Sequence, residues 1–142
     1  MKLSLELSYQ TPKEWAEQVV ENFDPFLQDH ADCERKASTM ALSLVAKAPE
    51  KTKIIPGLID TALEELEHFK MVYALMEKRG VPLPKEMEKD LYIQDLMKEC
   101  RSDSRARYLD RLLLGSIVEC RGAERFKLVC DALEDPELKE FY

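Results

Sequence analysis

What the sequence is short of narrows it first. Only four glycines occur in 142 residues, and no stretch is rich in Gly or Ser, so no flexible linker divides the chain. No uninterrupted apolar run approaches the roughly 20 residues of a membrane span, so no membrane association is expected. The opening MKLSLELSYQ lacks the continuous apolar core and small-residue cleavage site of a secretory leader, and the cytoplasm is the expected compartment. The four cysteines (Cys33, Cys100, Cys120, Cys130) have neither CxxC spacing nor the density of a disulfide scaffold. They are expected to be reduced and to act as small apolar side chains. Positive charge is also scarce: 21 Lys and Arg against 28 Asp and Glu leave a net charge of −7. That balance disfavours nonspecific nucleic-acid binding and gives no reason to expect DNA, while leaving room for a local basic patch. Histidine occurs only twice, as His30 and His68.

What is present is a chain with 45% hydrophobic and 35% charged residues, enough for one domain over residues 1–142 with a core of its own. Leu3 to Leu7 alternates apolar and polar residues, and a lone stretch of that kind is expected to be an extended arm, over residues 1–10. TPKE then marks a helix start, with Thr11 as N-cap, Pro12 in the first turn and Glu14 closing a capping box. DPF at Asp24 to Phe26 opens a helix running to about Lys47. Another begins between Pro49 and Pro56 and ends at Gly80, placed as a left-handed terminator after Lys78 and Arg79. A shorter helix is expected from Pro84 to Cys100, a long one from Ser104 to Glu134 with caps from RSDS, and a last one from Asp135-Pro136. The reading is all-α, an antiparallel bundle.

The stretch EELEHF, Glu64 to Phe69, raises the chemical question. On a helix, residues three, four and seven apart share a face. Glu65 shares its face with Leu58, Ala62, His68, Phe69 and Val72, whereas Glu64 keeps company with Asp60 and Glu67. Glu65 and His68 are thus expected inward and Glu64 and Glu67 outward. A buried carboxylate needs a partner, and the i,i+3 spacing lets Glu65 and His68 reach one ion. Glu34 lies on a stripe of Leu27, Ala31, Ser38, Ala41 and Val45, and Glu119 on one of Leu112, Gly115, Ser116, Ala123 and Phe126. Both are read as inward, with Glu124 as the competitor of Glu119. His30, one turn before Glu34, is read as a supporting histidine, not a ligand. Three acids and one histidine on three helices match part of the ferritin-like di-iron pattern, in which two helices give a Glu each and two give a Glu-x-x-His. Carboxylate with imidazole suits iron or manganese.

DHADCERKASTMALSLVA (29–46), EELEHF and LDRLLLGSIVECRGAERFKLV (109–129) together resemble the MiaE family of tRNA hydroxylases. The resemblance implies a ferritin-like four-helix bundle with extra short helices. It also implies two iron ions, dioxygen as co-substrate, an electron-donor protein, and hydroxylation of the isopentenyl group of 2-methylthio-isopentenyl adenosine in prenylated tRNA. Carried across by position, it makes Glu34, Glu65 and His68 metal ligands. It favours Glu119 over Glu124, because the distance from Glu119 to the next helix break mirrors that of Glu34. The family's second Glu-x-x-His falls beyond the point matching Phe141-Tyr142, so the resemblance implies a chain lacking its last bundle helix. Arg35, Lys36, Arg101, Arg105 and Arg107 are candidate RNA contacts, with Lys98 and Arg111 beside them, although Asp95, Glu99, Asp103 and Asp110 interleave with them. Two alternatives stand beside this reading. One is a ferritin-like iron-binding or redox protein that does not act on RNA. The other is a metal-free helical interaction module, if the chain ends at Tyr142.

Overall fold

A computed structural model describes residues 7–86 and 89–142, all helix and connection with no strand among them. Six helices follow in order: α1 (Lys13–Glu21), α2 (Phe23–Lys47), α3 (Ile55–Arg79), α4 (Leu91–Glu99), α5 (Ser104–Ala132) and α6 (Pro136–Phe141). They form two compact units, one of residues 24–88 and one of residues 1–23 with 89–142. The expected arm at Leu3–Leu7 lies almost wholly outside the described residues.

The first unit is the α2–α3 hairpin. Its core is Leu27, Ala31, Ala41 and Leu44 from α2, and Ala62, Val72, Leu75 and Met76 from α3, all buried; Leu27, Ala31, Ala41, Ala62 and Val72 lie on the stripes expected from periodicity. Gly80 terminates α3 at φ 69°, and its N–H caps the carbonyls of Met76 and Glu77. An L side chain would be strained in that left-handed conformation. The Ser38 hydroxyl donates to the Ala62 carbonyl at 2.8 Å and ties the two helices together. The opposite flank of α3 carries Ile59, Leu63, Leu66 and Tyr73 exposed.

The second unit is built around α5, against which α1, α4 and α6 pack. Asp103 caps α5 by accepting from the Ala106 N–H, and Asp135 caps α6 by accepting from Glu137 and Leu138. The short α6 is held by buried Leu138 and by Tyr142, whose ring meets Phe126 at 5.4 Å and Phe23 at 6.0 Å.

Two expected helix starts are corrected. Thr11 does not cap α1: Pro12 occupies the N-cap position without a side-chain bond. Thr11 instead gives its N–H to Glu124 Oε1 at 2.6 Å and its hydroxyl to Glu124 Oε2 at 2.9 Å. The long-range carboxylate is a stronger acceptor than the local Glu14 arrangement offers. The short helix begins at Leu91, not Pro84. Asp90 accepts from the Ile93 N–H and fixes the start there, and the described residues 81–86 and 89–90 are non-helical.

Candidate metal centre

Within the hairpin, α2 presents Glu34 to Glu65 and His68 of α3. One ligand atom from each of the three lies within 4.8 Å of the others. His68 Nδ1 is 3.7 Å from Glu34 Oε2 and 3.6 Å from Glu65 Oε2. The Ser38–Ala62 tether sits one turn beyond Glu34 and one turn before Glu65, so it sets the register that brings the two acids level. Glu34 and Glu65 are buried, at 9% and 7% exposure, as their apolar stripes require. His68 is not: its side chain is 46% exposed, so the expectation that it points fully into the core is corrected. It stands at the mouth of the pair. Glu64 and Glu67 are exposed, as read from their face, and Lys70 pairs with Glu67.

His30 is buried beneath this group, with Nε2 2.8 Å from Glu34 Oε1. A carboxylate accepts only, so the imidazole donates. Burial pushes the Glu34 carboxyl up. Hydrogen bonds from His30 and with Glu65, and then the charges of His30 and His68, more than offset this and hold it below the usual carboxylate range. Two carboxyl groups in hydrogen-bonding contact keep a proton between them unless a cation replaces it. The donor set of two carboxyls and one imidazole fits iron or manganese: oxygen-rich, with one nitrogen, and backed by a histidine that orients a ligand oxygen.

The other sequence candidates have surroundings of their own. Glu119 is on α5, in the other unit, and is exposed; along its stripe Leu112, Gly115 and Phe126 are half-buried and Ser116 and Ala123 exposed. Glu124 is closed off by Thr11 and by Arg121, whose Nη1 donates to Oε2 at 2.6 Å. Of the RNA candidates, Arg35 and Lys36 both pair with Asp32, which is buried at 4% exposure. Arg101 grips Asp110 through its backbone N–H and two guanidinium nitrogens, holding that carboxyl down to about 2. Lys98 pairs with Asp95. Arg105 and Arg107 are exposed and have no acidic partner among the described residues. Asp32 escaped the sequence reading, although its i+3 and i+4 cations were the available signal. No helix among the described residues is long and apolar enough to cross a membrane.

Fold and site define a class: a ferritin-like protein, helical with no strand among the described residues, with a carboxylate–imidazole cluster. A solved structure described as protein 43 with aldehyde deformylating oxygenase activity from Synechococcus superposes with a TM-score of 0.91 at 34% identity, over 96% of this chain and 67% of its own. The family model for tRNA-(MS[2]IO[6]A)-hydroxylase (MiaE) matches residues 2–142, and the chain belongs to the MiaE family. A Pseudomonas putida protein named tRNA 2-(methylsulfanyl)-N(6)-isopentenyladenosine(37) hydroxylase is 36% identical over 132 residues, which is 93% of this chain and 63% of that protein. A Salmonella typhimurium protein of the same name is 25% identical over 181 residues, covering 93% of this chain and 66% of that protein. The chain thus spans slightly under two thirds of the length of these relatives.

Proposed function

We propose that the chain belongs to a di-iron, dioxygen-dependent hydroxylase acting on the isopentenyl group of 2-methylthio-isopentenyl adenosine in tRNA. The observation that carries this reading is the Glu34–Glu65–His68 cluster, in a chain whose relatives are named as hydroxylases of that nucleoside. Glu34, Glu65 and His68 would hold iron, with Glu119 as a further ligand. The bound metal supplies the activation of dioxygen, with electrons from a donor protein.

The chain's own residues do the positioning. His30 fixes Glu34 by donating to Oε1, leaving Oε2 directed toward His68. Ser38 holds the register of the two helices. Buried Leu27, Ala31, Ala62 and Val72 exclude water behind the acids, and half-exposed His68 marks the side from which a ligand enters.

The test is mass spectrometry of the modified nucleoside after incubating the iron-loaded chain with dioxygen, reductant and prenylated tRNA. The expected result is a gain of one oxygen atom, lost in Glu65→Ala. Iron uptake without that gain would remove the hydroxylase reading and leave a ferritin-like iron-binding or redox protein. No iron uptake, with or without Glu65, would leave the metal-free interaction module.

A further inference from the structure

The helix α3 carries more apolar surface than its own hairpin buries. Leu63 and Leu66 are 61% and 52% exposed, and Ile59 and Tyr73 are exposed with them. Together with Lys70 these side chains recur at intervals of 4, 3, 4 and 3 residues, the repeat that keeps one seam of a helix turned toward a second helix. With about 3.6 residues per turn, the seam lies roughly 140–180° around α3 from His68, on the flank turned away from the metal cluster. Its border is charged: Asp60, Glu67 and Glu77 are exposed along it, as is Lys53 in the turn before α3. An exposed apolar patch on the order of several hundred Å² with a polar rim marks an interaction surface.

The seam fits its own reverse. Leu66 is the midpoint, with Ile59 seven residues before it and Tyr73 seven residues after. A second copy running antiparallel about a two-fold axis at Leu66 sets Leu66 against Leu66, and each Ile59 against the other copy's Tyr73. Leu63 then packs on the aliphatic stem of the other copy's Lys70. The charges match in the same register. Lys70, whose ammonium bonds Glu67 of its own helix at 3.0 Å, comes within two residues of level with the other copy's Asp60. Lys53 comes equally close to level with the other copy's Glu77. A parallel pairing would instead set Asp60 against Asp60 and Lys70 against Lys70. Spacing and charge that are matched by their own reversal favour a second copy over a foreign helix, and a two-fold pair is the commonest form of self-association.

We infer that Ile59, Leu63, Leu66, Lys70 and Tyr73 form a homodimer seam, which joins two copies of this chain through antiparallel α3 helices and leaves the flank of His68 open on each. A single helix-to-helix seam covers less than the roughly 800 Å² per partner of a standard interface, so the dimer is expected to form reversibly. It serves no step of the hydroxylation proposed above and stands whether or not the cluster holds iron.

Sedimentation equilibrium of the chain over a concentration series, with circular dichroism of each variant, is the test. The wild-type mass is expected to rise with concentration from 16.5 kDa toward twice that value. L63E/L66E alters two exposed residues, so it is expected to keep its helix content while losing about 100-fold or more in association. K70E is expected to weaken association about fivefold. D60K/K70E is expected to regain most of that loss, because the swap restores both charge pairs across the two-fold axis. A mass of 16.5 kDa at every concentration would overturn the inference and leave the seam to a helix of another protein. Association unchanged in L63E/L66E would overturn it by placing the contact elsewhere. D60K/K70E associating no more tightly than K70E would overturn the antiparallel register.

Discussion

Glu34 and Glu124 are both acids on long helices, both held below the usual carboxylate range, and the reasons differ. Glu124 is satisfied by the protein itself. A backbone N–H, a hydroxyl and a guanidinium converge on its two oxygens, and the ion is closed. Glu34 has His30 on one oxygen but faces a second carboxyl, Glu65, and a half-exposed imidazole on the other side. The first arrangement is complete as it stands. The second crowds two acids together and, on the function proposed above, would be completed by a cation. The difference separates an acid that holds the fold from one that serves a site.

That contrast is broken most sharply by removing each acid. Glu124→Leu strands the buried Arg121 charge and is expected to cost about 2–3 kcal/mol in urea unfolding, with metal affinity unchanged. Glu65→Leu is expected to leave the metal-free protein as stable as the wild type or more so, because it relieves a carboxyl pair buried in an apolar face. Equal destabilisation by both would erase the distinction. Ser38→Ala removes the hydroxyl tether beside the cluster and is expected to cost about 1 kcal/mol. It should also weaken metal binding about tenfold, as loss of a positioning contact does; unchanged metal affinity would mean that Ser38 does not set the register. The smallest effect is that of acid. Burial raises the Glu124 carboxyl, but the Thr11 N–H, Arg121 and the Thr11 hydroxyl lower it more, so its folded value lies below the ordinary 4.5. The unfolded chain therefore binds protons first. The stability contributed by Glu124 is fully present above about pH 4.5 and is lost as pH falls through the folded value. Glu124→Gln should flatten the acid limb of the stability–pH curve, and an unchanged limb would place that stability elsewhere.

Much of this was legible before any coordinates, and what was legible was local. Gly80, Asp103 and Asp135 end or start helices through bonds to residues within a turn, so the sequence neighbourhood suffices. Thr11 looked like the same kind of signal, but its acceptor is 113 residues away and could not be seen in TPKE. Pro84 resembled a first-turn proline, and nothing in its neighbourhood announced that Asp90 would set the start. Periodicity found Glu34 and Glu65 because their stripes are rich in residues that must be buried. It says less for Glu119, whose stripe mixes half-buried Leu112 and Phe126 with small and polar residues that tolerate exposure, as Ser116 and Ala123 do. The apolar residues of α3 occupy two flanks, only one of which is buried, and the pattern alone does not say which. The arginines of α5 were read as a charge cluster, but pairing decides their use: Arg101 is spent on Asp110, whereas Arg125 stacks on two rings without a carboxylate.

Anaerobic titration of the metal-free chain with ferrous iron against a competing chelator shows whether Glu34, Glu65 and His68 hold a metal ion. Saturable uptake that releases protons is expected, with an affinity loss of at least about 100-fold in Glu65→Ala, beyond what loss of a supporting residue costs, and with Glu124→Gln binding like the wild type. Iron uptake that is negligible, or equal in the wild type and Glu65→Ala, would contradict their assignment as metal ligands.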